Sequence, residues 1–481
     1  MSKCFFCFII FILPVNLFAS DWLALHPLLP KGTQISYMVV DPAQNKVITQ
    51  YQQSLLRTPA SMQKLLTATA AKLYLGSQFR YQTTIEGEKS NINKQRYQGD
   101  LIMRFVGDPT LLRSDISGML KSLKQLGIKY IAGDFLLNQS HFSGYQWSNG
   151  QAWNDLGVCY TAPSNAIIVN KNCVLGNLSL SHPKAKKATL FIPGYEPVDI
   201  SSDVSVVTKA QRSAQFCELE VTRNSHNQYS LWGCMVPRER PFALAFAVND
   251  PFAYARQIIA SELMKVGIIL EGEIKLDSNN TSSVGDVLIR HQSPPLDEML
   301  RIMVKESDNL IADSLFKTLG AAYFRTAGNF RNGGQAVKLI LKEQGIDLEN
   351  AYLADGSGLS RHNLMSAVLF MTVLEYVYHN DSRLNLLSSF SVAGIDGTLK
   401  YHQGVRGKLL KGKIIAKTGS MQGVANLLGV VKRDHGDRLF VLILNGYNLA
   451  ETALSEHKEK DKKISKYHFE QAFFEAIIKP D

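Results

Sequence analysis

Three short motifs in a fixed order constrain the fold of this chain more than any other feature of its sequence. They are Ser61-x-x-Lys64, Ser307-x-Asn309 and Lys417-Thr418-Gly419. Lys-Thr-Gly occurs once, whereas Ser-x-x-Lys also occurs at Ser181/Lys184, Ser314/Lys317 and Ser455/Lys458. If the three motifs serve one site, the fold must bring together segments from the beginning, the middle and the end of the chain.

The sequence around Ser61 predicts a helix. Pro59 precedes the serine, apolar residues follow at helical spacing, and Gly76 is a typical C-terminal stop. Ser61 and Lys64 are nearly one turn apart, so they share a face. At a helix N-terminus, free N–H groups and the positive end of the dipole favour developing negative charge. The alternative is a serine that caps the helix, followed by a lysine that faces solvent.

The sequence around Lys417 predicts an antiparallel sheet. Residues 414–420 form a short apolar run that ends in the motif, and strand-like runs follow at 425–431 and 439–444. This pattern indicates a meander with Lys417 on its first strand, at an edge of the sheet. Gly419 is expected to let a substrate backbone lie close to the strand. The alternative is a surface turn.

These residue types suit nucleophilic catalysis. A serine hydroxyl is a poor nucleophile until a neighbouring base takes its proton. Lys64 can be that base for Ser61 only if its amine is neutral for part of the time. Burial and a nearby second cation such as Lys417 would both lower the pKa of Lys64.

The other motif residues have complementary roles in such a reaction. Ser307 is expected to relay a proton to the leaving amine, and Lys417 to attract a substrate carboxylate. Backbone N–H groups of Ser61 and Ser420 are expected to form an oxyanion hole. Asn309 is expected to hold a substrate amide. Thr418, Gly419 and Ser420 are also expected to bind the substrate.

The ordered motifs match the serine-acylation signature of penicillin-binding proteins and class A β-lactamases. About half of the chain separates Ser61 from Ser307, more than a minimal acyl-serine fold needs. The chain resembles the class C low-molecular-mass penicillin-binding proteins, the D-alanyl-D-alanine carboxypeptidase/endopeptidase family (peptidase family S13) typified by penicillin-binding protein 4. The side motifs that carry this resemblance are 153–157 with Ala162-Pro163 and Asn172-Cys173, 305–309, 355–361 and 392–399.

The resemblance implies an exported serine-type carboxypeptidase and endopeptidase that acts on peptidoglycan stem peptides and takes β-lactams as covalent inhibitors. It also implies an α+β fold, in which a β-lactamase/transpeptidase-like catalytic domain of antiparallel sheet and flanking helices carries inserted, mostly β, accessory domains. We expect residues 21–84 and 285–481 to form the catalytic domain, with two nested domains in 85–284. The catalytic roles of the family then fall on Ser61, Lys64, Ser307, Asn309 and Lys417.

Asp155 is a further candidate from the resemblance. In this family an acidic residue of an inserted domain is thought to meet the free amine of the diamino acid in the stem peptide. Asp155, in the Trp-Asn-Asp run, is the position that matches. The alternative is an aspartate that caps a helix or a turn.

The N-terminus predicts export. Lys3 precedes a nearly unbroken apolar stretch over residues 4–18, and Ala19-Ser20-Asp21 follows. This pattern is typical of a secretory signal, here residues 1–19, and it places the mature protein in the periplasm. The alternative is an uncleaved anchor, although the stretch is short for a membrane span. No later segment is long and apolar enough to span a membrane, and peripheral membrane association remains compatible with the sequence.

Four cysteines remain once the signal is removed. Export permits disulfides, and an even number of cysteines supports them. Three connectivities exist, and the simplest joins nearest neighbours. The alternative is buried free thiols. The residues are Cys159, Cys173, Cys217 and Cys234, all within the proposed insertion.

Other functions find little support in the sequence. The net charge of +10 suits either an anionic cell-wall polymer or plain solubility, and no basic motif interleaved with aromatic residues indicates nucleic acid. Residues 407–413 begin like a phosphate loop, but Ile414 stands where Ser or Thr must bind magnesium. The histidines show no zinc-ligand spacing. We therefore expect no metal and no cofactor.

Two alternative functions share the predicted fold. A β-lactamase needs fast hydrolysis of the acyl-enzyme, and no class A glutamate motif is recognisable between Ser61 and Ser307. A non-catalytic cell-wall scaffold would keep the fold without the activity, and the intact motif residues argue against it. The lifetime of a penicillin label separates the three functions: no label indicates a scaffold, a brief label a β-lactamase and a lasting label a penicillin-binding protein.

Overall fold

The computed structural model describes residues 22–277, 285–448 and 465–479. The predicted signal peptide and the charged run at 458–463 lie outside the described residues. Within the described ranges, no helix is long and apolar enough to cross a membrane.

The described elements are numbered in chain order. The strands are β1 (Gln34–Asp41), β2 (Lys46–Tyr51), β3 (Gln82–Gly87), β4 (Ile92–Asn93), β5 (Arg96–Tyr97), β6 (Leu101–Arg104), β7 (Tyr130–Ile131), β8 (Phe135–Asn138), β9 (Cys173–Ser179), β10 (Thr189–Phe191), β11 (Asp199–Val206), β12 (Leu219–Arg223), β13 (Gln228–Met235), β14 (Phe242–Ala247), β15 (Ile269–Leu270), β16 (Ile274–Leu276), β17 (Asp286–Gln292), β18 (Ser391–Val392), β19 (Ile414–Met421), β20 (Val424–Val431) and β21 (Arg438–Asn445). The α-helices are α1 (Lys64–Tyr74), α2 (Arg113–Gln125), α3 (Lys209–Ala214), α4 (Pro251–Val266), α5 (Leu296–Lys305), α6 (Asn309–Phe324), α7 (Phe330–Lys342), α8 (Ala367–His379), α9 (Asp381–Leu384) and α10 (Lys466–Ile478).

A six-stranded antiparallel sheet joins the two ends of the chain, in the order β18-β19-β20-β21-β1-β2. The predicted hairpin β1–β2 and the predicted meander β19–β20–β21 are both present. Every residue of β20 and β21 is buried, because helices cover both faces of the sheet. Helices α1, α5, α6, α7 and α8 pack on one face, and α10 packs Phe473 and Phe474 on the other.

The residues from β3 to β17, called the inserted segment below, build four smaller sheets, which fits the prediction of a mostly β insertion. Strands β3 and β17 pair antiparallel in the five-stranded sheet β16-β8-β6-β3-β17. The chain therefore enters and leaves the insertion on adjacent strands. A domain boundary between residues 84 and 85 would fall inside β3. Helices α2 and α4 pack together beneath this sheet and share its apolar core.

Two disulfides cross-link the inserted segment. Cys159 is bonded to Cys173 with a Cα–Cα distance of 5.3 Å, and Cys217 to Cys234 with 5.9 Å. These are the nearest-neighbour pairs. The first ties the turn at Cys159–Thr161 to the start of β9, and the second ties the approach to β12 to β13.

Candidate active site

Ser61 lies in a 3₁₀ turn, Ala60–Gln63, that runs directly into α1. Lys64 is the first residue of that helix and is fully buried. Its Nζ donates hydrogen bonds to Ser61 Oγ at 2.9 Å, to Asn309 Oδ1 at 2.6 Å and to the Ser357 carbonyl at 2.7 Å. Lys64 therefore does not face solvent but lies within proton-transfer distance of the serine hydroxyl.

Ser307 and Asn309 flank the start of α6. Asp308 is the N-cap, and its carboxylate accepts a hydrogen bond from the Ile311 N–H at 3.0 Å. Asn309 uses both ends of its amide, because Oδ1 accepts from Lys64 and Nδ2 donates to the Tyr160 carbonyl at 2.8 Å. The second motif thus connects the lysine of the first motif with the inserted segment.

Lys417 lies on β19 and points into the site. Its Nζ donates to Ser307 Oγ at 3.0 Å and to the Thr418 carbonyl at 2.8 Å. Strand β18 pairs only with Ile415 and Ala416, so the outer edge of β19 is open from Lys417 onward. This open edge offers backbone groups to an extended peptide, in agreement with the edge position expected for Lys417.

Gly419 lies against the turn that carries Ser61. A Cβ at this position would lie 2.5 Å from the Pro59 carbonyl oxygen and 3.1 Å from both Met62 N and Met62 Cγ. The missing side chain therefore lets β19 pack against the turn that carries Ser61. Thr418 donates a hydrogen bond to Thr398 at 3.0 Å, and Ser420 is exposed.

Burial controls the electrostatics of the two lysines. Desolvation lowers the pKa of Lys64 to about 8, and the negative charges of Asp313, Asp355 and Asp308 oppose this shift. Desolvation, with the charge of Lys64, also holds the pKa of Lys417 well below its usual range. A neutral Lys64 amine is therefore accessible near neutral pH, as the base role requires.

Residues 355–361 form a loop that locks the lysine in place. The Asp355 carboxylate accepts hydrogen bonds from the backbone N–H groups of Gly358 and Ser360 and from the side chains of Ser148 and Asn363. Gly358 has φ +84°, and a Cβ there would lie within 2 Å of the Ala60 carbonyl. Only glycine lets the loop approach the Ser61 turn this closely.

Asp313 and Ser357 lie beside Lys64, although sequence reasoning assigns no role to either. Asp313 is on α6, four residues after Asn309, and this i, i+4 spacing is the available signal that the two share a face. Desolvation and the charge of Asp355 raise the pKa of Asp313, whereas the charge of Lys64 and the hydrogen bonds from Ser357 lower it. Residues 355–361 are one of the motifs that carry the family resemblance, but their contact with Lys64 depends on the fold.

Asp155 lies at the border of the site, in the 3₁₀ turn Trp153–Asp155. Desolvation raises the pKa of the Tyr160 phenol, and the nearby Asp155 carboxylate adds to that rise. The Tyr160 carbonyl in turn accepts the bond from Asn309. The turn begins at Ala152 without a side-chain cap, so the geometry gives no support to a capping role for Asp155.

The competing Ser-x-x-Lys pairs do not form comparable sites. Lys317 is buried, but its Nζ donates to the Tyr145 and Ser164 carbonyls, and Ser314 Oγ is buried without a partner. Ser181 and Lys184 are exposed, and the pair at 455/458 lies outside the described residues. Across residues 22–277, 285–448 and 465–479, no group of three or more His, Cys, Asp or Glu side chains is placed to hold a metal ion.

Comparisons with known proteins agree with this geometry. The family model described as D-Ala-D-Ala carboxypeptidase 3 (S13) matches residues 21–468. D-alanyl-D-alanine carboxypeptidase DacB of Haemophilus influenzae is 36% identical over 452 residues, which are 94% of this chain and 92% of that protein. The crystal structure of penicillin binding protein 4 (dacB) from Haemophilus influenzae matches with a TM-score of 0.87 at 37% identity, covering 96% of this chain and 100% of that one. A crystal structure of that protein complexed with a novel β-lactam matches with a TM-score of 0.83 at 35% identity and the same coverage.

Proposed function

The chain belongs to the D-Ala-D-Ala carboxypeptidase 3 (S13) family and is a serine-type D-Ala-D-Ala carboxypeptidase with a penicillin-binding fold, and we propose that it works through an acyl-enzyme on Ser61. The family and the fold class predicted from the sequence are thereby confirmed. One observation supports the proposal above the others. The three motifs meet at a single place, where Lys64 contacts both Ser61 and Asn309 while Lys417 contacts Ser307.

Acylation begins with proton transfer to Lys64. The neutral amine takes the Ser61 proton over 2.9 Å while Oγ attacks the carbonyl carbon of the penultimate D-alanine. The tetrahedral oxyanion accepts hydrogen bonds from the Ser61 and Ser420 N–H groups. The C–N bond then breaks, the terminal D-alanine leaves as an amine with a proton delivered through Ser307, and an ester remains on Ser61.

Hydrolysis completes the cycle. Lys64 again serves as base, now toward a water molecule that attacks the ester carbonyl and returns Ser61 to its free form. Lys417 holds the terminal carboxylate of the substrate at the open edge of β19. Asn309 orients a substrate amide, and Thr418 and Gly419 present backbone groups to the extended peptide.

The same chemistry extends to cross-linked peptides. A DD-endopeptidase breaks an equivalent D-alanyl amide whose leaving amine belongs to the diamino acid of a second stem peptide. We assign recognition of a free side-chain amine to Asp155, because its carboxylate lies on the segment that contacts Asn309. We further propose that the signal at residues 1–19 directs the enzyme to the periplasm, where peptidoglycan is the substrate.

β-Lactams are expected to acylate the same serine. The Haemophilus influenzae relative has been crystallised with a β-lactam, and its structure covers almost the whole of this chain. A β-lactam carboxylate is matched to Lys417, and its carbonyl to the Ser61 nucleophile. No class A glutamate motif is recognisable between Ser61 and Ser307, which favours a lasting ester over the fast turnover of a β-lactamase.

The test of this proposal is the position of a penicillin adduct. Fluorescent penicillin should label the wild-type protein for long enough to digest it and locate the adduct by mass on Ser61. Ser61→Ala should abolish the label and reduce peptidase activity by about three orders of magnitude or more, because nucleophile and base act as a unit.

Ser314→Ala is the matched control, because it removes the hydroxyl of the other buried Ser-x-x-Lys pair. It should leave labelling intact. An adduct on any serine other than Ser61 would overturn the catalytic assignment. A label that decays within seconds would indicate a β-lactamase, and a folded wild-type protein without any label would indicate a scaffold.

A further inference from the structure

Asp313 is a buried carboxylate that the acylation mechanism leaves without a task. It is on α6, one turn after Asn309, and is 5% exposed. Its Oδ1 accepts hydrogen bonds from the backbone N–H groups of Gly356 at 3.0 Å and Ser357 at 2.9 Å, and its Oδ2 accepts from Ser357 Oγ at 3.1 Å. The carboxylate therefore fixes the position of one peptide unit.

That peptide unit holds the catalytic lysine. The Ser357 carbonyl accepts the hydrogen bond from Lys64 Nζ at 2.7 Å. Helix α6 thus reaches the lysine amine from two directions, directly through Asn309 Oδ1 and indirectly through Asp313 and Ser357. A shift of the Asp313 side chain would move the second acceptor and release the amine from its orientation toward Ser61 Oγ.

Charge adds to this geometric role. When Lys64 takes the Ser61 proton it becomes an ammonium ion on a fully buried side chain, and a buried cation is costly without a counter-charge. The charged groups that face the pair come from three elements and one loop. They are Asp308, Asp313 and Lys317 of α6, Asp355 of the loop, Lys64 of α1 and Lys417 of β19.

We propose that Asp313 is the positioning residue of the catalytic lysine: it fixes the Ser357 carbonyl against the amine and supplies the negative charge that balances the ammonium formed during acylation. This inference rests on the proposed function. The Asp355 carboxylate is already satisfied by four hydrogen bonds, from Gly358 and Ser360 of its own loop and from the side chains of Ser148 and Asn363. All three bonds to Asp313, by contrast, come from the residue that holds Lys64 or from its neighbour.

The proposal predicts a specific change in the pH dependence of acylation. The wild-type rate should rise with pH through about 8, as Lys64 loses its proton. The Asp313 charge favours the ammonium form and therefore raises the pKa of Lys64. Without that charge the pKa of Lys64 falls, so the rising limb should move to lower pH. The plateau should fall as well, because the ammonium formed in the transition state loses its counter-charge.

The experiment measures the second-order rate of acylation by fluorescent penicillin across pH values on both sides of the Lys64 pKa. Asp313→Asn keeps the size and one acceptor but removes the charge. We expect its rising limb to move by about one pH unit toward acid and its plateau to fall by about tenfold to a hundredfold. Ser357→Ala removes one donor to Asp313 and should shift the limb in the same direction by less, which keeps the proposal testable if the first variant folds poorly.

Asp381→Asn is the matched control. Its carboxylate also accepts two backbone hydrogen bonds, from Leu386 and Leu387, but it has no contact with Lys64. The control should have the wild-type profile. The proposal is overturned if both Asp313→Asn and Ser357→Ala lower the rate by the same factor at every pH and leave the rising limb in place. Unchanged rates in both variants would overturn it as well. Failure of the proposed function is a different result, since the wild-type protein would then carry no adduct on Ser61.

Discussion

Two residues of the site adopt a backbone conformation that side chains disfavour. Ser307 has φ 63° and Ala60 has φ 48°. Such left-handed residues cost about 1–3 kcal/mol each and persist only where the surroundings fix them. Asp308 follows Ser307 directly and is fixed as the N-cap of α6, and the Ala60 carbonyl packs against Gly358. The strained conformations aim the Ser61 and Ser307 hydroxyls at the two lysines.

The two lysines compete for protons before substrate arrives. Both are buried, and the charge of Lys64 lowers the pKa of Lys417. A substrate carboxylate beside Lys417 has the opposite effect, because it stabilises the ammonium form. Binding of a carboxylate therefore favours a proton on Lys417 and a neutral Lys64, which is the pair of states that acylation needs.

Lys417→Ala should lower both carboxypeptidase turnover and penicillin acylation by about two to three orders of magnitude, since it removes the partner of the substrate carboxylate and the anchor of Ser307. Rates should be compared for substrates with a free and an amidated terminal carboxylate. The variant should lose most of its preference for the free acid.

Lys413→Ala is the control for this change, because Lys413 lies just before the same strand and is partly exposed. It should retain wild-type rates. If a well-folded Lys417→Ala variant cleaved the carboxylate substrate at the wild-type rate, Lys417 would have no place in the site.

At the scale of elements, helix α6 organises the site. Asn309, Asp313 and Lys317 are spaced four residues apart and share one face of the helix. Asn309 holds Lys64, Asp313 holds the Ser357 peptide, and Lys317 donates to two carbonyls of the inserted segment. One helix face therefore connects the nucleophile, the lysine loop and the inserted segment.

Sequence reasoning reaches the parts of this arrangement that depend on residue type and order. Ser61 and Lys417 are recognisable because their chemistry requires those side chains. The contact between Asp313 and Ser357 is not, because it forms only when α6 packs against a distant loop. Helix α2 is also missing from the predicted elements, although its buried residues Ile116 and Leu120 have helical spacing, since Gly118 and several serines weaken the pattern.

The disulfides permit a prediction that separates stability from function. Their sequence separations are 14 and 17 residues, so each should stabilise the protein by about 3 kcal/mol in the chain-entropy account. Cys159 adjoins Tyr160, whose carbonyl accepts a hydrogen bond from Asn309. Cys217 is distant in sequence from the three motifs, and its backbone hydrogen bonds are with Arg212. The double variant Cys159→Ser/Cys173→Ser should therefore lose both thermal stability and acylation rate.

The double variant Cys217→Ser/Cys234→Ser is its matched control and should lose stability alone. Melting temperatures and penicillin acylation rates of the two variants give the comparison, and peptide mapping without reductant checks the pairing in the wild-type protein. Recovery of four free thiols from the periplasm, or equal acylation rates in the two variants, would count against this account.

At the scale of the whole molecule, the inserted segment forms part of the wall of the site. Lys171 pairs with Asp308 at 2.8 Å, Ser148 donates to Asp355, and the Tyr160 carbonyl accepts from Asn309. Each contact joins the insertion to a residue at or next to a catalytic motif. The insertion therefore lies beside the residues to which the proposed function assigns the chemistry.

Asp155 tests whether the insertion takes part in choosing the substrate. Its carboxylate is partly exposed on the inserted segment, near the Tyr160 hydroxyl, so it is able to meet a cationic amine. Asp155→Ala should reduce cleavage of peptides with a free side-chain amine by about tenfold, which is the effect expected for the loss of one partly exposed charge contact. Penicillin acylation should be unchanged. Asp199→Ala, which removes an exposed carboxylate elsewhere on the insertion, should change neither rate. The comparison uses paired peptides with free and acetylated amines, because an equal loss on both would mean that Asp155 supports the Tyr160 turn and takes no part in choosing the substrate.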